Sequence, residues 1–127
     1  MSALETALTP KHKRAPGAPP PESPARPSIS AARAERIASY ARALADPIRA
    51  QLVDVLAAHP GELCACELLP MFDVAQSTLS HHLKTLADAG ILESGRQGLF
   101  AYYLVDPRAL ADLAGWLQST ASSEVRS

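Results

Sequence analysis

Cys64 and Cys66 are the two cysteines of the 127-residue chain. They stand one residue apart in Gly61-Glu62-Leu63-Cys64-Ala65-Cys66-Glu67-Leu68-Leu69. Thiols at that spacing cannot staple distant parts of a fold. The pattern fits a reducing compartment and sulfur used for chemistry rather than for structure. Soft thiolates suit a soft metalloid or a heavy metal. The competing interpretation is a pair of small buried hydrophobes, because free cysteine often packs that way.

A second stretch able to do chemistry runs from Gln76 to Leu86. Leu79, Leu83 and Leu86 fall on one helical face. Gln76, Ser77, Thr78, Ser80, His81 and Lys84 fall on the other, as short donors and acceptors followed by a cation. Glutamine pairs bidentately with adenine edges, serine and threonine meet bases or phosphates, and a helix N-terminus favours an anion. A solvated face is the plainer interpretation, yet such faces usually carry glutamate and this one carries none. Adjacent residues on a helix point about 100° apart, so His81 and His82 cannot both ligate one ion well. His81 is assigned outward and His82 to partly buried packing. Arg96 and Gln97 are the polar residues of a later turn, with Arg96 a candidate phosphate or minor-groove contact.

These residues need elements to hold them. Ile37, Tyr40, Ala41 and Leu44 make one helical stripe. Asp46-Pro47 is an N-cap followed by proline at the first helical position. That second helix carries Ile48, Leu52, Val55 and Leu56 inward and ends near His59-Pro60-Gly61. A short third helix lies within 66–72, the polar helix spans about 76–89, and Gly90 sits where a C-cap belongs. The period then changes. Residues 91–94 and 99–105 are β-prone runs around Gly95-Arg96-Gln97-Gly98, a hairpin. Asp106-Pro107 repeats the cap-plus-proline start of a last helix bearing Leu110, Leu113, Ala114 and Leu117, with Trp116 beside them. Two short helices, a tight turn and a hairpin make a winged helix-turn-helix in the order α-α-α-α-β-β-α.

Composition bounds the reading. Seven of the eleven prolines fall in residues 1–30, which hold few large apolar side chains. That segment is expected to be a disordered arm. Its basic cluster Lys11-His12-Lys13-Arg14 is a solvated tail or a touch on DNA phosphates. Residues 31–120 are the domain, and 121–127 a flexible tail. A net charge of −1 gives no bulk attraction to nucleic acid, so any contact must come from a local patch. No stretch approaches the roughly 20 apolar residues of a membrane span, and the start lacks the order of a signal peptide. A cytoplasmic protein is expected.

The stretches "ALADPIRAQLVDVL", "ELCACELL" and "STLSHHLKTLADAGILESGRQGLFAYYLV" resemble the ArsR/SmtB family of metalloregulatory winged-helix repressors over about residues 31–118. The resemblance implies a homodimer joined by its first and last helices. Their stripes, Ile37, Tyr40 and Leu44 with Leu110, Leu113, Trp116 and Leu117, are assigned to that interface. It implies an inverted-repeat DNA operator as partner, and release when a metal or metalloid binds. Arsenic-responsive members carry Glu-Leu-Cys-Val-Cys-Asp-Leu-Cys. Glu62 to Leu68 follow that pattern, and Leu69 stands where a third cysteine could. The implied inducer is As(III) or Sb(III) on Cys64 and Cys66, with no organic cofactor and with glutathione, water or hydroxide in the third place.

Departures from the pattern matter. Arg108 stands where the family's zinc site in the last helix needs a histidine near Asp106. The arm offers His12 but none of the cysteines of cadmium- and lead-type members. Ala75 replaces a serine N-cap, Asp73 replaces a turn glycine whose left-handed conformation aspartate tolerates, and Pro70 disfavours helix at Leu69. Residues i and i+2 diverge on a regular helix, so both sulfurs are expected to reach one arsenic only if the helix start distorts. A redox regulator of the same fold is disfavoured because a disulfide at that spacing is strained. A small thiol enzyme lacks both a phosphate-cradling glycine loop and an arginine among residues 69–73. A cadmium- or lead-responsive repressor of the same fold and a non-DNA interaction module are the remaining rivals.

Overall fold

The computed structural model describes residues 26–122, together with Gly17. The expected arm, with its Lys11–Arg14 cluster, and the tail beyond residue 122 lie outside the described residues apart from those at their inner ends. The order is α1 (Ala31–Leu44), α2 (Pro47–Ala58), β1 (Leu63–Cys64), α3 (Ala65–Leu68), a 3-10 turn (Leu69–Met71), α4 (Gln76–Asp88), β2 (Leu92–Gln97), β3 (Phe100–Val105) and α5 (Pro107–Ala121).

Local chemistry sets the helix ends. Ser30 Oγ accepts from the Arg33 N–H, and Asp46 Oδ1 accepts from the Ile48 and Arg49 N–H groups at 2.8 and 3.2 Å. Each satisfies donors that a helix start leaves open. At the end of α4, Gly90 has φ +86, and its N–H reaches the Ala87 carbonyl while that of Ile91 reaches Leu86. That pair of bonds is a Schellman ending, which glycine adopts without a Cβ penalty. Ala75 caps α4 with no side-chain hydrogen bond, as its methyl dictates.

Leu52, Leu56, Leu68, Leu79, Leu83, Leu86 and Ile91 are essentially solvent-free. They join α2, α3 and α4 to the base of the hairpin. Burying each such side chain contributes about 1.5–3 kcal/mol. The core therefore fixes α4 rigidly on its apolar side and leaves its polar side outward.

Three local expectations need correction. The hairpin turns at Gly98-Leu99 rather than over residues 95–98. Arg96 pairs with Ala101 and Gln97 with Phe100, so both lie in β2. Gly98, at φ +64, takes the first position of a two-residue turn, which puts Leu99 at the tip. Asp73 is not left-handed, for no non-glycine residue among those described has a positive φ. Leu69 is helical at φ −55 and ψ −44; Pro70 shifts the following turn to 3-10 rather than unwinding it.

The sequence also gave no sign of β1. It pairs antiparallel with β3, Leu63 opposite Tyr103 and Cys64 opposite Tyr102, so the sheet order is β1-β3-β2. A two-residue strand has no periodicity to detect.

A thiol pair in the cleft between the polar helix and the wing

Cys64 ends β1 and caps α3, with extended backbone at φ −73 and ψ 146. Its Sγ accepts from the Cys66 N–H at 3.2 Å, and Glu67 Oε1 accepts from the Cys64 N–H at 2.8 Å. This is a capping box with sulfur in the usual hydroxyl's place. The signal is present in the sequence as Cys64-x-x-Glu67, where Glu67 reads only as a charge beside the thiols and not as the partner of a cap.

The expected helix distortion is not needed. Cys64 stands outside the helix, so the i, i+2 divergence of a regular helix does not apply. The Cα atoms are 5.1 Å apart and the two sulfurs are joined as a disulfide. The Cα separation lies inside the ordinary disulfide range. Once reduced, the same geometry offers two soft donors converging from one side, which suits a thiophilic ion. Among the described residues no group of three or more His, Cys, Asp or Glu side chains comes together.

Both cysteines open into a cleft of about 770 Å³ between α4 and the wing. Cys64 is only 3% exposed, whereas Cys66 is exposed. Gln76, Ser80 and Lys84, at i, i+4 and i+8, form the helix wall of this cleft, and Arg96 stands on the wing wall. Leu69, Pro70, Phe100 and Tyr103 supply its apolar lining. Ser77, Thr78, His81 and Gln97 are exposed but do not line it. The structure thus divides the polar set into a cleft-facing stripe and an outward group. Lys84 Nζ pairs with Asp88 Oδ2 at 2.9 Å, and Gln97 Nε2 donates to Glu62 Oε1 at 3.3 Å.

His82 is buried, as its position implied, and it is also held. Arg49 donates from Nη1 to Nδ1 at 3.1 Å, and Asp46 Oδ1 lies 4.0 Å from Nε2. Arginine only donates, so in this contact Nδ1 is the acceptor. Arg49 Nε also donates to the Ala43 carbonyl at 2.7 Å. One arginine therefore ties α1, α2 and α4 together, a role the sequence reading missed.

The zinc-type position is occupied otherwise. Asp106 takes Arg108 Nη2 at 2.9 Å and Arg108 Nε at 3.1 Å, and the Arg108 side chain holds its carboxyl below the ordinary 3.8.

The residues assigned to an interface between copies divide too. Ile37 is 6% exposed within one protomer and so has little surface to offer a partner. Tyr40, Leu44 and Leu110 pack against the core. Leu113 and Trp116 are half-buried, and Leu117 is 52% exposed. Arg33 and Arg36 clamp α1 to α5 through Asp112 at 3.1 and 3.5 Å.

A core-fixed polar helix followed by a three-stranded sheet with a projecting hairpin defines a winged helix-turn-helix domain. A profile of the bacterial regulatory protein, arsR family, matches residues 46–94. The chain is similar to the arsenical resistance operon repressor of Staphylococcus xylosus, 39% identical over 64 residues. The match covers 50% of this chain and 60% of that protein, less than two thirds of its length. It is 34% identical over 79 residues to the repressor of the same name from Staphylococcus aureus, covering 62% of this chain and 74% of that protein. A solution structure of the homodimeric winged helix-turn-helix DNA-binding domain of a possible ArsR-family regulator from Mycobacterium bovis superposes with a TM-score of 0.58. It is 27% identical and covers 79% of this chain and 91% of that one. The chain belongs to the ArsR family. Among the described residues no helix is long and apolar enough to cross a membrane.

Proposed function

We propose that the protein is a homodimeric, DNA-binding transcriptional repressor that leaves its operator when trivalent arsenic or antimony binds Cys64 and Cys66. The observation that carries this reading is the shared cleft. The sulfurs open into the space walled by Gln76, Ser80, Lys84 and Arg96, the residues best suited to nucleic acid. An ion bound there changes what the cleft can admit. Because Cys64 pairs with Tyr102, the change is also passed to the wing strand. The names of the two staphylococcal relatives support the arsenical inducer, and the Mycobacterium bovis domain supports the dimer. Leu113, Trp116 and Leu117 are the interface residues that remain available on α5.

The test is anisotropy of a labelled duplex carrying an inverted repeat selected from random sequence, with phosphine-reduced protein. Arsenite should release the DNA and Zn(II) should not, since two thiolates fall short of a closed four-ligand zinc site. Cys64→Ser and Cys66→Ser should each bind the duplex and ignore arsenite. Failure to bind any duplex, or release of Cys64→Ser by arsenite, would overturn the proposal.

The disulfide favours a second reading, in which the same pair responds to oxidant. Two thiols would lose two protons and two electrons to a peroxide, giving the disulfide and water. Release by peroxide, with reduced protein indifferent to arsenite, would select it.

A further inference from the structure

Trivalent arsenic forms three bonds, and the described part of the cleft supplies two sulfurs. We infer that the third ligand is a small anionic thiol of the carboxylate-bearing, glutathione type, seated in the same cleft with its carboxylates toward Arg96 and Lys84. This rests on the arsenical reading above and adds to it a co-ligand and a mode of release.

Three observations carry the inference. The cleft, at about 770 Å³, lies within the range that holds a small molecule as well as an ion. Its lining includes the apolar side chains of Leu69, Pro70 and Phe100, which suit a thiol's hydrocarbon stem. Its rim carries two cations, Lys84 and Arg96, against one carboxylate, Asp88. Asp88 already holds Lys84 at 2.9 Å, so Arg96, with its planar fork, is the principal carboxylate anchor.

The chemistry balances. Two equivalents of the thiol first open the Cys64–Cys66 disulfide, leaving two protein thiols and one small-molecule disulfide. Arsenous acid, As(OH)₃, then condenses with the two protein thiols and one further small thiol. Three As–S bonds form, three As–O bonds break, and three waters leave with the three thiol protons. No net redox change accompanies this second step. The bound adduct places negative charge where Lys84 and Arg96 would meet DNA phosphate. Inducer and operator then compete for the same cations, and no long-range relay is required.

The experiment uses the full chain, reduced with a phosphine so that no thiol is carried over. Arsenite is titrated with glutathione, with uncharged 2-mercaptoethanol, or with no thiol, and binding is followed by the ultraviolet absorption of As–S bonds and by native mass spectrometry. Glutathione should tighten arsenite binding by about tenfold over 2-mercaptoethanol, the scale of one or two partly exposed ion pairs. A protein–arsenic–glutathione species should appear at one of each per protomer. Arg96→Gln should abolish the difference between the two thiols. Equal enhancement by both thiols, or arsenic bound with no retained glutathione, would overturn the inference. Phenylarsine oxide brings its own third substituent and separates the two failures. If it joins Cys64 to Cys66 and releases DNA while glutathione gives no advantage, this inference alone falls. If it does neither, the sensor reading falls with it.

Discussion

Cys64 and Cys66 are equal as thiols and unequal as structural residues, so truncating them should have different costs. Cys64 is 3% exposed and its sulfur caps α3. Cys64→Ala removes that cap, worth about 1 kcal/mol. It also empties the space of a buried sulfur, comparable to a methylene at about 0.8 kcal/mol. The sum is about 2 kcal/mol. In a domain of roughly 100 residues that lowers Tm by about 8–16 °C. Cys64→Ser restores a capping oxygen and loses only the apolar contact, so about half that cost is expected. Cys66 is exposed, and Cys66→Ala should stay within about 0.5 kcal/mol of wild type. The assay is urea unfolding followed by circular dichroism, with all chains reduced and at one protein concentration, because a dimer's midpoint depends on concentration. All three variants should ignore arsenite. Equal destabilisation by Cys64→Ala and Cys66→Ala, or a Cys64→Ser chain less stable than Cys64→Ala, would refute the assignment of the cap.

Lys84→Ala should weaken binding to all duplexes alike and reduce the salt slope by about 1, whereas Gln76→Ala or Ser80→Ala should relax base preference by about 1–3 kcal/mol; a change of sequence preference in Lys84→Ala would reverse these roles. Trp116→Ala and Leu117→Asp should sediment as monomers and lose operator affinity, while a dimeric Leu117→Asp would move the interface away from α5. Asp46 is held below 3.8 chiefly by the Arg49 N–H, with Ile48 N–H and the charges of His82 and Arg49 adding and burial opposing. Its carboxylate therefore stabilises the fold above pH 3.8, and that contribution is lost as pH falls through the lowered value. Asp46→Asn keeps a capping oxygen without the charge and should show a smaller drop in urea midpoint between pH 5 and pH 3.

Periodicity and punctuation made most of the fold legible. Asp46-Pro47, Asp106-Pro107 and Gly90 placed helix ends, and Leu79, Leu83 and Leu86 oriented the polar helix before any coordinates. The site was legible as a set of residue types: Cys64, Cys66, Gln76, Ser80, Lys84 and Arg96 were all singled out, and the structure brings them to one cleft. What escaped depends on long-range partners. The β1–β3 pairing joins residues about 40 apart, and no local pattern marks it. Arg49 joins His82 and the Ala43 carbonyl across three helices, and nothing in its local sequence marks that reach. Ile37 shared a stripe with Tyr40 and Leu44, but a stripe says only that a face is covered. Whether its own protomer or a second copy covers it depends on tertiary packing.

The backbone at Cys64 bears on how a ligand there is felt. Had both cysteines lain on a regular helix, chelation would have acted by deforming α3, and Pro70 would have been the weak point. Instead Cys64 is extended and laddered to Tyr102, while Cys66 sits in the first turn of α3. In the proposed mechanism, a ligand bridging the sulfurs links the wing sheet to α3 across the cap. Its α3 end runs on to Leu68, which is wholly buried in the core with α4. That side resists movement, because close-packed interiors do not deform continuously. The outer part of the wing is the more open side: every residue of β2 after Leu92 is exposed, and Leu99 at the tip is 92% exposed. In that mechanism a displacement at the thiols would be taken up by the hairpin that carries Arg96, with the polar helix held by the core.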